Sequence, residues 1–290
     1  MATLDAVCTI MARVAPLRLA ESWDNVGLLA GDRAAKVGKI MVCLTITPDV
    51  VDEAIAQHAD LIVVHHPLPF KPMAKITTDS IPGAMLWKLI GAKIAIYSAH
   101  TAFDSATGGV NQMWAEALGL DRIRPLVDLP TATDAVKTDA VKTDAAQVGS
   151  PSADSALSKK VEGSGRYGRL SIPVTLGSLA TMAGEVGGGP KPRFVGTAEQ
   201  SVQSVASACG SGGSFLAAAK RRGCDALVTG EATFHTCLEA RSMGIGLVLL
   251  GHFHSERFAM ERLSETLAAE LPDVTVWASR DECDPMLQPN

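Results

Sequence analysis

The stretch Asp60-Leu-Ile-Val-Val-His-His-Pro67 decides how this chain folds. Its apolar run, 61–64, is short and rich in β-branched side chains, so it reads as a buried strand. Pro67 stops it, and two histidines stand at its carboxyl end. Upstream, 39–46 is another β-rich run. Thr47 then offers an N-cap, Pro48 suits the first helical position, and Val50, Val51, Ala54 and Ile55 mark a helical face. Downstream, 82–90 reads as helix, 93–97 as strand and 109–118 as helix. Leu4, Val7, Ile10, Met11 and Val14 open the chain with an amphipathic helix. The rhythm returns later. Strands are predicted at 169–174, 202–207, 226–229, 247–250 and 274–278, with helices at 176–185, 214–222, 235–243 and 255–270 between them. This alternation predicts an α/β layer structure with a largely parallel sheet.

Composition narrows the possibilities. Of 290 residues, 47% are hydrophobic and 20% charged, which excludes bulk disorder, collagen and coiled coil. The 26 Lys+Arg against 31 Asp+Glu give a net charge of −5, which argues against direct nucleic-acid binding. Six cysteines without a C-x-x-C pair suggest a reducing compartment. The amino-terminal residues lack the basic region of a secretory signal, and the apolar runs are too short to span a membrane. A soluble cytoplasmic protein is expected. Residues 133–145 carry the direct repeat Thr-Asp-Ala-Val-Lys, and no aromatic residue occurs from 129 to 160. Such a stretch buries too little apolar surface to offset its ordering entropy. The expected organisation is an α/β half at 1–129, a flexible linker at 130–162 and a second α/β half at 163–290.

Six of the seven histidines, His65, His66, His100, His235, His252 and His254, fall just beyond predicted strands. Ligands of open α/β sheets bind at those carboxyl ends. Neighbouring strand residues point to opposite faces, so His65 and His66 share a crevice only if the strand has ended or each serves a different metal. A hydrogen-bonded structural pair is the plain alternative. His100 and Asp104 follow the strand at 93–97. Asp104 offers a hard oxygen or a helix cap, and His100 a ligand, an outer partner of a ligand or a proton carrier. His252 and Glu256 are four apart, as are Glu231 and His235, so each pair shares one helical face. Glu231 and His235 read as acid/base groups or a further ligand pair. The loop 209–214 is a possible phosphate nest, but a tight turn explains it as well. Together His65, His66, Asp104, His252 and Glu256 suit two divalent ions, Zn, Mn, Fe or Co, held by mixed N/O ligands. Paired ions of that kind activate water and clamp a leaving oxygen.

Several strings together resemble one family, the Nif-three-like family (NGG-one-interacting factor three), also labelled GTP cyclohydrolase type 2 homologue or dinuclear metal-centre hexameric protein. They are Glu21-Ser-Trp-Asp-Asn-Val-Gly-Leu28, Val64-His-His-Pro-Leu68, His100-Thr-Ala-Phe-Asp104, Gly108-Gly-Val-Asn111, Gly165-Arg-Tyr-Gly168, Gly210-Ser-Gly-Gly213, Thr229-Gly-Glu-Ala-Thr-Phe-His235 and Gly251-His-Phe-His-Ser-Glu256. The resemblance implies two similar α/β halves with a metal site in the cleft between them, and a homohexamer. It implies the same five metal ligands, with His100, Glu231 and His235 close by as catalytic candidates. Glu231 stands where the family usually has Asp, and His254 where a small residue is usual, so His254 is a candidate extra ligand or proton carrier. The activity implied is metal-dependent hydrolysis of a nucleotide or phosphoester, GTP ring opening being the named candidate. The alternatives are a non-enzymatic metal-bound scaffold, a transcription-linked interaction protein, or metals that serve assembly.

Overall fold

The computed structural model describes residues 1–128 and 162–287. All of the expected linker but its last residue, Glu162, lies outside the described residues. The first part runs β1 (Ala2–Thr3), α1 (Leu4–Val14), β2 (Gly27–Ala30), β3 (Lys36–Val37), β4 (Lys39–Thr45), α2 (Pro48–Ala56), β5 (Leu61–His66), α3 (Ile81–Gly91), β6 (Ala95–Ser98), α4 (His100–Ser105), α5 (Val110–Ala117) and β7 (Asp121–Asp128). The second runs β8 (Gly163–Thr175), α6 (Leu176–Gly187), β9 (Arg193–Val195), β10 (Ser201–Ala208), α7 (Leu216–Arg221), β11 (Ala226–Thr229), α8 (Phe234–Met243), β12 (Gly246–Leu249), α9 (His252–Glu256), α10 (Phe258–Glu270) and β13 (Thr275–Ala278). The predicted Thr47 cap forms, and the hydroxyls of Ser80, Thr175 and Thr233 do the same; each accepts from a backbone N–H in the first turn of the following helix. The single helix expected at 255–270 is two, α9 and α10, joined at Arg257.

Two mixed sheets form, in strand orders β13-β4-β5-β6-β2 and β7-β8-β10-β11-β12-β9. Their centres are parallel, β13-β4-β5-β6 and β10-β11-β12, and their flanks antiparallel. The flanking strands β2, β7 and β9 escaped the sequence reading because they are short or mostly solvent-facing, with little apolar alternation. The sheets also do not divide where the linear halves do. β13, from the end of the chain, joins the first sheet, and β7, from before the linker, joins the second.

Period-two alternation sorts the strand side chains into layers. Ile40, Val42, Leu44, Leu61 and Val63 face an inner core shared with Val205, Val228 and Val248 of the second sheet and with α1, α5, α6 and α10. Met41, Cys43, Ile62 and Val64 face α2 and α3 on the far side of the first sheet. Ala206, Leu227 and Leu247 face α7 and α8 on the far side of the second. One continuous apolar layer therefore holds the two sheets together. It brings the carboxyl ends of β4, β5 and β6 against the loops that follow β10, β11 and β12.

Candidate metal centre

His65 and His66 end β5, and their directions diverge as the strand pleat requires. His65, buried with Leu61 and Val63, meets Asp104: its Nε2 lies 3.6 Å from Asp104 Oδ1, too far for a hydrogen bond. His66 turns toward the second sheet, where its Nε2 is 3.1 Å from Glu256 Oε2. His252 Nε2 is also 3.1 Å from that oxygen. His66 and Glu256 thus join the two sheets at the centre of the cluster. Among the described residues, two sets of donor atoms lie within 4.8 Å of one another: His65, His66 and His100, and His66, His252 and Glu256. Four of the five expected ligands, and His100, belong to these sets. Asp104 sits beside them, accepting from the Cys209 thiol at 3.2 Å.

Each donor is held from behind. Thr45 Oγ1 lies 2.7 Å from His66 Nδ1, which leaves Nε2 facing Glu256. His100 Nδ1 donates to Asp24 Oδ1 at 2.7 Å, and Asp24 Oδ2 accepts from the Thr101 N–H and hydroxyl. His252 Nδ1 donates to Glu231 Oε2 at 3.2 Å. A carboxylate or hydroxyl behind an imidazole sets which nitrogen is free to ligate. Ser255 fixes the start of α9: its hydroxyl donates to the His252 carbonyl and accepts from the Gly210 N–H, while Trp114 Nε1 donates to the Ser255 carbonyl. Asn111 ties the next wall, accepting from the Cys209 N–H and donating to the Asp104 carbonyl.

Burial and charge pull the titrating groups apart. Burial pushes Asp104 up to about 7, with the neighbouring Glu256 charge adding to the effect. Burial opposes the Glu256 carboxylate too, but hydrogen bonds from His252 and His66 outweigh it and hold this carboxyl well below its usual range. The bond to Glu256 raises His252 to about 9 against burial. Burial drives His65 well below the usual imidazole value, so it stays neutral and available as a donor. The Cys209 thiol is pushed far up by burial and stays protonated.

The site fits divalent ions. Among the described residues, both ring nitrogens of His65 are buried without a hydrogen-bond partner, a state that costs free energy unless something fills it. Gly210, at φ 58°, lines the cluster, and a Cβ there would collide with Glu256 Oε1 and approach His252 Nε2 to 3.2 Å. A mixed set of imidazole and carboxylate donors suits borderline divalent metals. The donors open into a cavity of about 600 Å³ lined also by Trp23, Phe70, Cys209, Ser211 and Phe215.

The other sequence candidates lie further out. Glu231 is half-exposed and stands behind His252. His254 turns away, pairing with Asp284 at 3.1 Å; it lines a second cavity that adjoins the first at Ser211 and Ser214. His235 is exposed in the first turn of α8, stacked edge-on against Phe234, and lines neither cavity. Asp24 and Thr45 carry no role in the sequence taken residue by residue, and Gly210 and Asn111 only those of a turn or an anion-binding loop. Asp24 had a signal, since it lies inside the Trp-Asp-Asn string; Thr45, a strand-end threonine, had none.

The fold and site define a class: layered α/β proteins with a metal-competent His/carboxylate cluster where the carboxyl ends of two sheets meet. The chain belongs to the Duf34/NIF3 (NGG1p interacting factor 3) family, whose pattern matches residues 2–285. It is 31% identical over 283 residues to the "GTP cyclohydrolase 1 type 2 homolog" of Clostridium perfringens, covering 97% of this chain and 98% of that one. It is 32% identical over 289 residues to "NIF3-like protein 1" of Drosophila melanogaster, covering 98% and 88%. Its fold matches the crystal structure of a Bacillus cereus protein related to NIF3 at a TM-score of 0.83 and 25% identity, covering 100% of this chain and 99% of that one.

Proposed function

We propose that this chain is a dinuclear metal-dependent hydrolase of a nucleotide or phosphoester. The observation that carries the reading is the pair of donor sets sharing His66 around the unpartnered nitrogens of His65. His65, His66, Asp104, His252 and Glu256 would hold two divalent ions. Such ions supply Lewis-acid polarisation of the scissile bond. The chain's own residues do the rest. Asp24 holds His100 with its Nε2 turned from the Asp24 carboxylate, as a group that accepts or returns a proton at the cavity. Burial of His65 excludes water from the inner wall, which strengthens every charge interaction there. Glu231 orients His252 and gives the rim a negative edge. The relatives named for GTP cyclohydrolase make a guanine nucleotide the first substrate to offer. Division at 129 and 163, a hexameric assembly and acid/base work by His235 belong to the same proposal. Because His235 lies on the surface, such work there would need a neighbouring copy to complete the site.

The test is a turnover screen of protein loaded with Zn, Mn or Fe, with GTP, other nucleotides and simple phosphoesters as substrates and His65→Ala as the control. Turnover that the variant loses supports the hydrolase. Protein that keeps two metals and turns over nothing in the panel points to the scaffold reading.

A further inference from the structure

Trp23 and Phe70 come from separate loops and meet at the mouth of the donor cavity. Their ring centroids are 6.0 Å apart at 48°. Each also packs edge-on against the His100 ring, at 5.9 Å for Trp23 and 6.1 Å for Phe70. Asn25 Nδ2 donates to the Pro69 carbonyl at 2.8 Å, which ties the loop of Trp23 to the loop of Phe70. Asp24, next to Trp23, is pinned by His100 and Thr101. The two rings are thus held in place, yet Trp23 is 60% and Phe70 49% exposed. Exposure alone is ordinary, for Trp87 and Phe234 are as exposed. Trp23 and Phe70 differ in lining the cavity that holds His66, His100, Asp104 and Glu256. Ser211, Ser214 and Phe215 line the same cavity and add two hydroxyls and a third aromatic ring. A cavity of about 600 Å³ is of ordinary size for a small-molecule site.

We infer that Trp23 and Phe70 form a stacking ledge for a planar heteroaromatic ring of the substrate, delivering the bond to be cleaved to His100 and the donor cluster. The inference rests on the hydrolase reading and adds the part of the substrate that is recognised. Aromatic rings offer large, rigid contact area at low entropic cost, and every nucleobase has a π-face to meet them. A sugar phosphate without a base would leave both rings wet. The ledge therefore selects for a base-bearing substrate, while the cluster acts on the bond.

Calorimetric titration of the full chain as purified, with its metal content measured, provides the test. Guanosine is the probe, and ribose 5-phosphate is the control without a ring. Guanosine is expected to bind saturably and ribose 5-phosphate at least ten-fold more weakly. Trp23→Leu and Phe70→Ala should each weaken guanosine by about five-fold or more, the scale of one base–aromatic stack, with unchanged metal content. Trp23→Phe should restore most of the loss. Equal binding of the two probes, full guanosine affinity in both variants, or no saturable guanosine heat at millimolar concentration would each overturn the inference. So would a Trp23→Leu protein that dissociates in sedimentation while keeping its guanosine affinity, because the ledge would then be a contact between copies. Trp23-dependent guanosine binding by a chain that holds no metal would sink the hydrolase reading and leave the ledge standing.

Discussion

The Asp24–His100 pair shows how one residue sets the chemistry of another. Burial opposes both charges. Bonds from His100 and Thr101 nonetheless lower Asp24 to about 2, and the bond to Asp24 raises His100. The Asp24 contribution to stability is complete above its unfolded pKa of ~3.9 and is lost as pH falls toward the lowered folded value. The His100 contribution is complete below its unfolded pKa of ~6.5 and is lost as pH rises through the raised folded value. Asp24→Asn should therefore cost about 1–3 kcal/mol, most between pH ~4 and ~6.5. Urea unfolding of the chelated protein across that range measures it, and a pH-independent loss would show that the pair is not ionised. At Gly210 the constraint is steric. Gly210→Ala puts a methyl group against Glu256 and strains a φ of 58°. Metal content after purification should fall by more than half, and full occupancy would remove Gly210 from the list of site determinants.

At the scale of elements, the segment after β13 matters most. Glu53 on α2 accepts from Trp277 Nε1, the Ser279 hydroxyl and the Arg280 and Asp281 N–H groups, and so anchors the segment. Glu282 is then buried against the end of β4, where it accepts from the Leu44 and Thr45 N–H groups at 3.0 and 2.6 Å and pairs with Arg257 at 2.9 Å. Asp284 pairs with His254 on α9. The segment thereby braces Thr45, which orients His66, and α9, which carries His252 and Glu256. Thr45→Val should lower metal affinity about 10- to 100-fold, the usual cost of losing a ligand's outer partner, with little change in melting temperature. A metal titration followed by calorimetry decides this; wild-type affinity in the variant would mean that packing alone holds the His66 ring.

Over the whole molecule, the cluster joins two sheets, so filling it should stabilise the fold as well as the site. Metal at a hundred times its Kd adds about 2.7 kcal/mol, which corresponds to a rise of about 4–5 °C for a chain of 290 residues. Differential scanning calorimetry with and without chelator checks it, and coincident melting curves would show that the cluster holds no ion. Among the described residues, no helix is long and apolar enough to cross a membrane.

Much of this architecture is written locally. Short β-branched runs, apolar residues at helical spacing and the Thr47–Pro48 helix start make the central strands and most helices legible. The placement of His65, His66, Asp104, His252 and Glu256 just past strands marked them as one candidate set. Those signals are local because steric preference and amphipathic burial act over a few residues. Long-range pairing leaves no such trace. That β13 completes the first sheet, that Glu231 stands behind His252 while His235 faces solvent, that Asp24 holds His100 and Thr45 holds His66, and that Glu282 braces the end of β4 all follow from how the inner apolar layer brings distant segments together. The four-residue spacing of Glu231 and His235 suggests a shared helical face, but α8 starts only at Phe234; Glu231 therefore lies in the loop after β11, where it reaches His252, while His235 sits on the exposed first turn of the helix. Hydrophobic burial is non-directional, so it draws the sheets together without specifying partners; the hydrogen bonds formed once they meet select which side chains face the site.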